Sequence, residues 1–143
     1  MREPGFWLDV IYHDSDLLQL RVTAWSGAFG GATELYVAIG ELEQIAAKLA
    51  GFPKSFADAR EFVLGAFGPE FAGGGVSTRF YCLDRAGHSY LECKIESGEK
   101  SAGVLQIATL VMPIEAAAVD RFVESMRRIG KDRAGTALLS ARP

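Results

Sequence analysis

Between residues 17 and 52 the apolar positions alternate, pause at a glycine-rich stretch, alternate again and then change period. Leu18, Leu20, Val22 and Ala24 alternate with Gln19, Arg21, Thr23 and Trp25; further on, Leu35, Val37 and Ile39 alternate with Glu34, Tyr36 and Ala38. A period of two marks a strand with one buried face. Residues directly opposite in an antiparallel pair share a face, which restricts the register. The expected pairing sets Ala24 by Leu35, Val22 by Val37 and Leu20 by Ile39, leaving residues 28–31 as a loop. On the other face it puts Trp25 opposite Glu34 and Thr23 opposite Tyr36.

From about Gly40 the period becomes helical. Leu42, Ile45, Ala46 and Leu49 line one face. Glu41 and Glu43 sit in the first turn, where the helix dipole favours anions, and Gly51 and Pro53 end the element. A helix this short is unstable alone and must dock on the sheet.

Residues 6–12 read as a first strand, followed by a turn at Asp14-Ser15-Asp16, and residues 61–67 as another short strand. A second hairpin is expected around an Asp84-Arg85-Ala86-Gly87 turn. Its inner face carries Val76, Phe80 and Cys82 against Leu91, Cys93 and Ile95, with Cys82 by Leu91 and Phe80 by Cys93. The opposite face carries Arg79, Tyr81, Tyr90, Glu92, Lys94 and Glu96. Residues 104–112 are apolar on both faces apart from Gln106 and Thr109, which suits an interior strand or an edge covered by a partner chain. A second helix is expected from Pro113 to Gly130, with Val119, Phe122, Val123, Met126 and Ile129 as its buried stripe. Residues 131–143 show no strong pattern and read as a flexible tail, though Ala137-Leu138-Leu139 suits docking on a neighbour. The expected fold is α+β: a single domain over residues 1–130, with one mostly antiparallel sheet of six or seven strands and both helices packed on one face.

Charge narrows the partners. Residues 1–130 hold 12 Lys/Arg against 17 Asp/Glu. An acidic body repels phosphate backbones, and no basic cluster interleaved with aromatics offsets it, so nucleic acid is not expected as a partner. No run has the length of a signal peptide or a membrane helix, and two cysteines without a secretion signal read as thiols; a cytoplasmic protein is expected, with no membrane association. A hydrophobic share of 49% hints at self-association.

Candidate chemistry is thin. Cys82 and Cys93 fall on one face but diagonally, long for a disulfide, and read as small buried hydrophobes. His13 and His88 sit beside turns, and pairing His88 with either cysteine lacks an orienting third group. No metal ligand set with recognisable spacing occurs, and the glycine stretches at 26–31 and 73–75 lead into strands instead of opening a phosphate-binding helix. Neither a cofactor nor a catalytic constellation is expected. What remains is a polar–aromatic sheet face built from Trp25, Glu34 and Tyr36 of one hairpin and Tyr81, Tyr90, Glu92 and Glu96 of the other. Aromatics among acids suit a basic protein partner; a solvated sheet face with ordinary strand aromatics fits the same pattern.

The order of elements resembles that of the small bacterial WapI-type immunity proteins over residues 17–129. The likeness lies in the turn at 25–31, the strand at 35–39, the helix ending in Gly51-Phe52-Pro53, the segment at 61–65 and the hairpin turn at 84–88. That resemblance implies a non-enzymatic protein whose partner is a secreted polymorphic toxin; no binding residue carries over from it. The competing expectation is a small enzyme or small-molecule-binding protein with a pocket between sheet and helices. A homodimer through residues 104–112 or the tail is a third.

Overall fold

The computed structural model describes residues 2–99 and 104–143. Among the described residues, eight strands and two helices follow in the order β1 (Gly5–His13), β2 (Leu17–Trp25), β3 (Gly30–Ala38), α1 (Glu41–Leu49), β4 (Ala59–Gly65), β5 (Gly75–Cys82), β6 (Ser89–Glu96), β7 (Ile107–Ile114), α2 (Ala116–Asp132) and β8 (Gly135–Ser140). The class is α+β, but the strands form two antiparallel sheets of four, ordered β3-β2-β1-β8 and β4-β5-β6-β7, instead of one sheet of six or seven. Covering power explains the split. Eight strands side by side would span about 38 Å, more than two helices each about 10 Å wide can shield. The sheets therefore also cover each other, meeting where β3 approaches β6 and β7. A Cβ at Gly31 would lie 3.4 Å from that of Ala108.

The apolar faces converge on one core. Leu20 and Val37 from the first sheet and Phe80 and Ile95 from the second are all buried in it. Phe122 of α2 meets Phe6 of β1 edge-on at 5.9 Å, while Phe52, just after α1, meets Phe80 of β5 at 5.8 Å. Arg60 of β4 closes the end of α1, donating to the carbonyls of Lys48 (3.1 Å) and Ala50 (2.6 Å) while its other nitrogens hold Asp58. These carbonyls are among those a helix C-terminus leaves without partners.

Both hairpin registers differ from expectation by an even number of residues, so every side chain keeps its face. In the first, Leu20 pairs with Leu35 and Trp25 with Gly30, and the loop is residues 26–29. Ser26 fixes that loop: its N–H donates to the carbonyl of Phe29 (2.8 Å) and its Oγ accepts from the N–H of Phe29 (3.0 Å). In the second, Phe80 pairs with Leu91, Thr78 with Cys93 and Cys82 with Ser89. The turn widens to residues 83–88 because the Asp84 carboxylate accepts from the N–H of His88 (3.3 Å), and its other oxygen meets His88 Nδ1 at 2.6 Å.

Pro113 belongs to β7 and not to the first turn of α2. β7 is an edge strand, where a missing N–H is harmless if it points outward. It does: the Pro113 carbonyl points away from β6 and accepts from the N–H of Arg142 (2.7 Å). α2 continues past Gly130 to Asp132 and stops at Arg133, whose φ of 56° is left-handed. Residues expected to be a flexible tail instead supply β8, which pairs with β1 and buries Ala137 and Leu139. Among the described residues no helix is long and apolar enough to cross a membrane.

Candidate functional site

The expected polar–aromatic face divides between the outer faces of the two sheets. On the first sheet, Glu34 pairs with Arg21 and accepts its guanidinium at 2.5 Å; Tyr36 pairs with Gln19. Trp25 lies several residues further along, opposite Gly30. On the second sheet, Tyr81 stacks on Tyr90 (centroids 5.9 Å apart, planes at 26°), Arg79 lies 4.7 Å over Tyr81, and Glu92 pairs with Arg79. The expected single face is not formed: the two sheets turn their inner faces to one core, so their outer faces point apart.

Glu96 leaves the face altogether. It is only 3% exposed, and its Oε2 accepts from the N–H of Gly68 at 2.8 Å. The loop of residues 66–74 folds over it. That loop is held by Ala66 N–H to the Gly74 carbonyl (3.2 Å) and by Gly74 N–H to the Glu34 carbonyl (2.8 Å). Strand parity alone put Glu96 beside Glu92; the loop that buries it is a tertiary effect.

The loop forms one wall of a broad concavity. This cleft, about 900 Å3, lies on the outer face of the first sheet; Arg2, Asp9, Arg21, Glu34 and Tyr36 line it, with Gly73 and Gly98 at the far side. Arg2 donates to Asp9 at 2.6 Å, and the Thr136 hydroxyl donates to the same carboxylate at 2.7 Å. Burial alone would raise the Asp9 pKa. The hydrogen bonds from Arg2 and Thr136 and the charges of Arg2 and Arg21 outweigh it and hold the carboxyl below its usual range. Arg2 also stacks 4.4 Å over the Trp7 ring. Continuous with this polar end is an apolar hollow of about 390 Å3 between Trp25, Thr23, Gly30 and Ala32. Gly30 and Ala32 keep its floor low.

Sequence reasoning missed Arg2, Asp9 and Thr136. Asp9 shares its strand parity with Trp7, so an alternation test on residues 5–13 would have found it; pairing with Thr136 needed β8, which the sequence did not announce.

Other candidates resolve simply. Cys93 is buried and its thiol is pushed up to about 12 by that burial. Cys82 pairs with Ser89 and Cys93 with Thr78, so the two are separated further along the strands than expected. His88 is committed to Asp84 on an exposed turn. Among the described residues no group of three or more His, Cys, Asp or Glu is placed to hold a metal ion. Between sheets and helices the space is filled by Phe6, Phe52, Phe80, Phe122 and Met126. A groove of about 300 Å3 does lie at the boundary of α1 and β4, beside Ile39, Gln44, Lys48 and Val63, but it brings neither histidine nor cysteine together.

No family model, no curated protein and no solved structure matches this chain.

Proposed function

We propose that this protein is a non-catalytic binding module of the immunity type, acting in the cytoplasm on a protein partner, and that the outer face of the first sheet receives that partner. The carrying observation is the long cleft in which Arg2 and Arg21 fix Asp9 and Glu34 in place while Tyr36 and Trp25 stand at its two ends. Carboxylates held by an arginine on one side keep lone pairs for a second donor. A basic segment laid in the cleft would meet the outward oxygens of Glu34, while Tyr36 offers it an aromatic edge. An aromatic beside a low glycine floor supplies the apolar anchor that protein interfaces need. The outer face of the second sheet offers a smaller hollow, about 220 Å3, among Glu61, Arg79, Glu92 and Lys94.

The test is calorimetric titration with the purified products of the adjacent genes. Glu34→Arg should weaken a protein partner's binding by at least about tenfold, since reversing a charge in a contact costs more than about 1.4 kcal/mol. Glu92→Arg, on the second sheet, should leave it unchanged. The reverse pattern would move the site to the second sheet. Thermal stabilisation by a small metabolite, with no protein partner, would favour the ligand-binding reading instead.

A further inference from the structure

β7 is an edge strand whose outward backbone groups are unusually bare. The Gln106 carbonyl accepts from the N–H of Ser97 and the Pro113 carbonyl from that of Arg142, so even-numbered residues address β6 and odd-numbered ones point outward. Ile107, Thr109 and Val111 thus direct N–H and C=O groups away from the sheet, and among the described residues none of these groups has a partner. Every other edge is guarded. β3 is tied at Glu34 to Gly74, β4 carries the charges of Arg60 and Glu61, and Arg128 donates to the Thr136 carbonyl of β8 (3.4 Å). From Ile107 to Val111 there is no charge, proline or bulge, the devices that normally blunt an edge. The side chains agree: Ile107 and Val111 are 54% and 49% exposed.

We propose that β7 pairs with the β7 of a second copy of this chain, antiparallel about a two-fold axis through Thr109. The segment is self-complementary in that register. Thr109 faces its own copy and Ile107 faces Val111, so every outward N–H meets a C=O and two β-branched pairs pack across the axis. Charge does not oppose it. The rows through the axis bring Lys94 of each copy no closer than about 14 Å, three strand spacings, which is beyond a Debye length of about 8 Å at physiological salt. Arg142 occupies the far end of the edge and limits the pairing to these residues. A contact of this length buries at most about 1,000 Å2, so the dimer is reversible and concentration-dependent. Its surface is separate from the cleft on the first sheet, and it stands or falls independently of the partner proposed there.

Sedimentation velocity over a concentration series tests the pairing, with circular dichroism confirming that each variant folds. A monomer–dimer equilibrium is expected for the native chain. Thr109→Pro removes an outward N–H and no bond to β6, and Val111→Lys places a charge on the edge; each should weaken dimerisation about tenfold or more. A cysteine pair then reads the register. In a Cys82→Ser background, Thr109→Cys should form an intersubunit disulfide under mild oxidation, because hydrogen-bonded partners stand about 5.5 Å apart at Cα. Val111→Cys should not, since its own copy lies roughly 13 Å away along the strand. A monomer at every concentration, a dimer indifferent to both edge substitutions, or equal cross-linking from positions 109 and 111 would each overturn the proposal.

Discussion

Trp25 lies opposite Gly30, and a Cβ at that glycine would stand 2.7 Å from Cε3 of the indole and 2.9 Å from the carbonyl oxygen of Ala24. The ring occupies the space a side chain would need. This contact favours the observed register, because on that face of β3 the next residues, Ala32 and Glu34, carry side chains that would meet the ring.

Gly30→Ala should therefore destabilise the fold by about 1–3 kcal/mol, the usual cost of overfilling a packed site. Urea denaturation measures it. Made in a Trp25→Ala background, the same substitution should cost less, though not nothing, since the backbone oxygen of Ala24 remains. An equal cost in both backgrounds would show that the indole plays no part.

Arg60 joins the end of α1 to Asp58 and to β4. Arg60→Ala should cost about 2 kcal/mol, as expected for losing hydrogen bonds from a charged group to carbonyls left half-buried. Arg60→Lys should restore less than half of it, because an ammonium cannot reproduce the fork.

The same arginine makes stability depend on acid. Its hydrogen bond lowers the Asp58 pKa most, burial opposes it, and the N–H of Lys54 adds to the lowering. A carboxyl with a folded pKa below its unfolded value, about 3.9, contributes fully above that value and loses the contribution as pH falls through the folded one. Unfolding free energy measured from pH 6 down to pH 2 should fall below about pH 4, and Arg60→Ala should flatten that fall. Asp9 contributes to the same slope through Arg2 and Thr136, so Asp9→Asn should flatten it further.

Only one thiol should react with Ellman's reagent at pH 8 in the native protein. Cys93 is buried and its pKa is about 12, so its thiolate is scarce and inaccessible, whereas Cys82 is half-buried near the end of its strand. Both should react after denaturation. Two reactive thiols in the native state would mean the second sheet opens.

Glu96 is expected to control the wall of the cleft. Glu96→Ala should cost about 1–3 kcal/mol and speed hydrogen exchange at the amides of Gly68 and Gly74, while exchange within β1 and β2 stays unchanged. Unchanged exchange at both glycines would show that other contacts hold the loop.

The sequence revealed what depends on periodicity and hid what depends on distant contacts. Leu20, Val37, Phe80 and Ile95 all reached the core, because a slip by an even number of residues preserves a strand's faces. The registers themselves slid, since glycines were read as turn residues and one of them was needed beneath Trp25. Pro113 looked like a helix start because the outward edge of β7 that tolerates it exists only after β7 is placed. The two sheets could not be told from one, as alternation specifies a buried side but not what buries it. The site suffered most: Tyr81, Tyr90 and Glu92 were grouped as expected, Glu34 and Tyr36 also stayed near each other, and Glu96 was lost to a loop with no period at all.

β8 lies against β1, joining Gly5 to Ser140 across nearly the whole chain. During synthesis the first sheet must wait with a bare flank until residue 140 has cleared the ribosome. Closure of this half therefore follows the synthesis of β8, whereas the second sheet has all four of its strands before β8 is made.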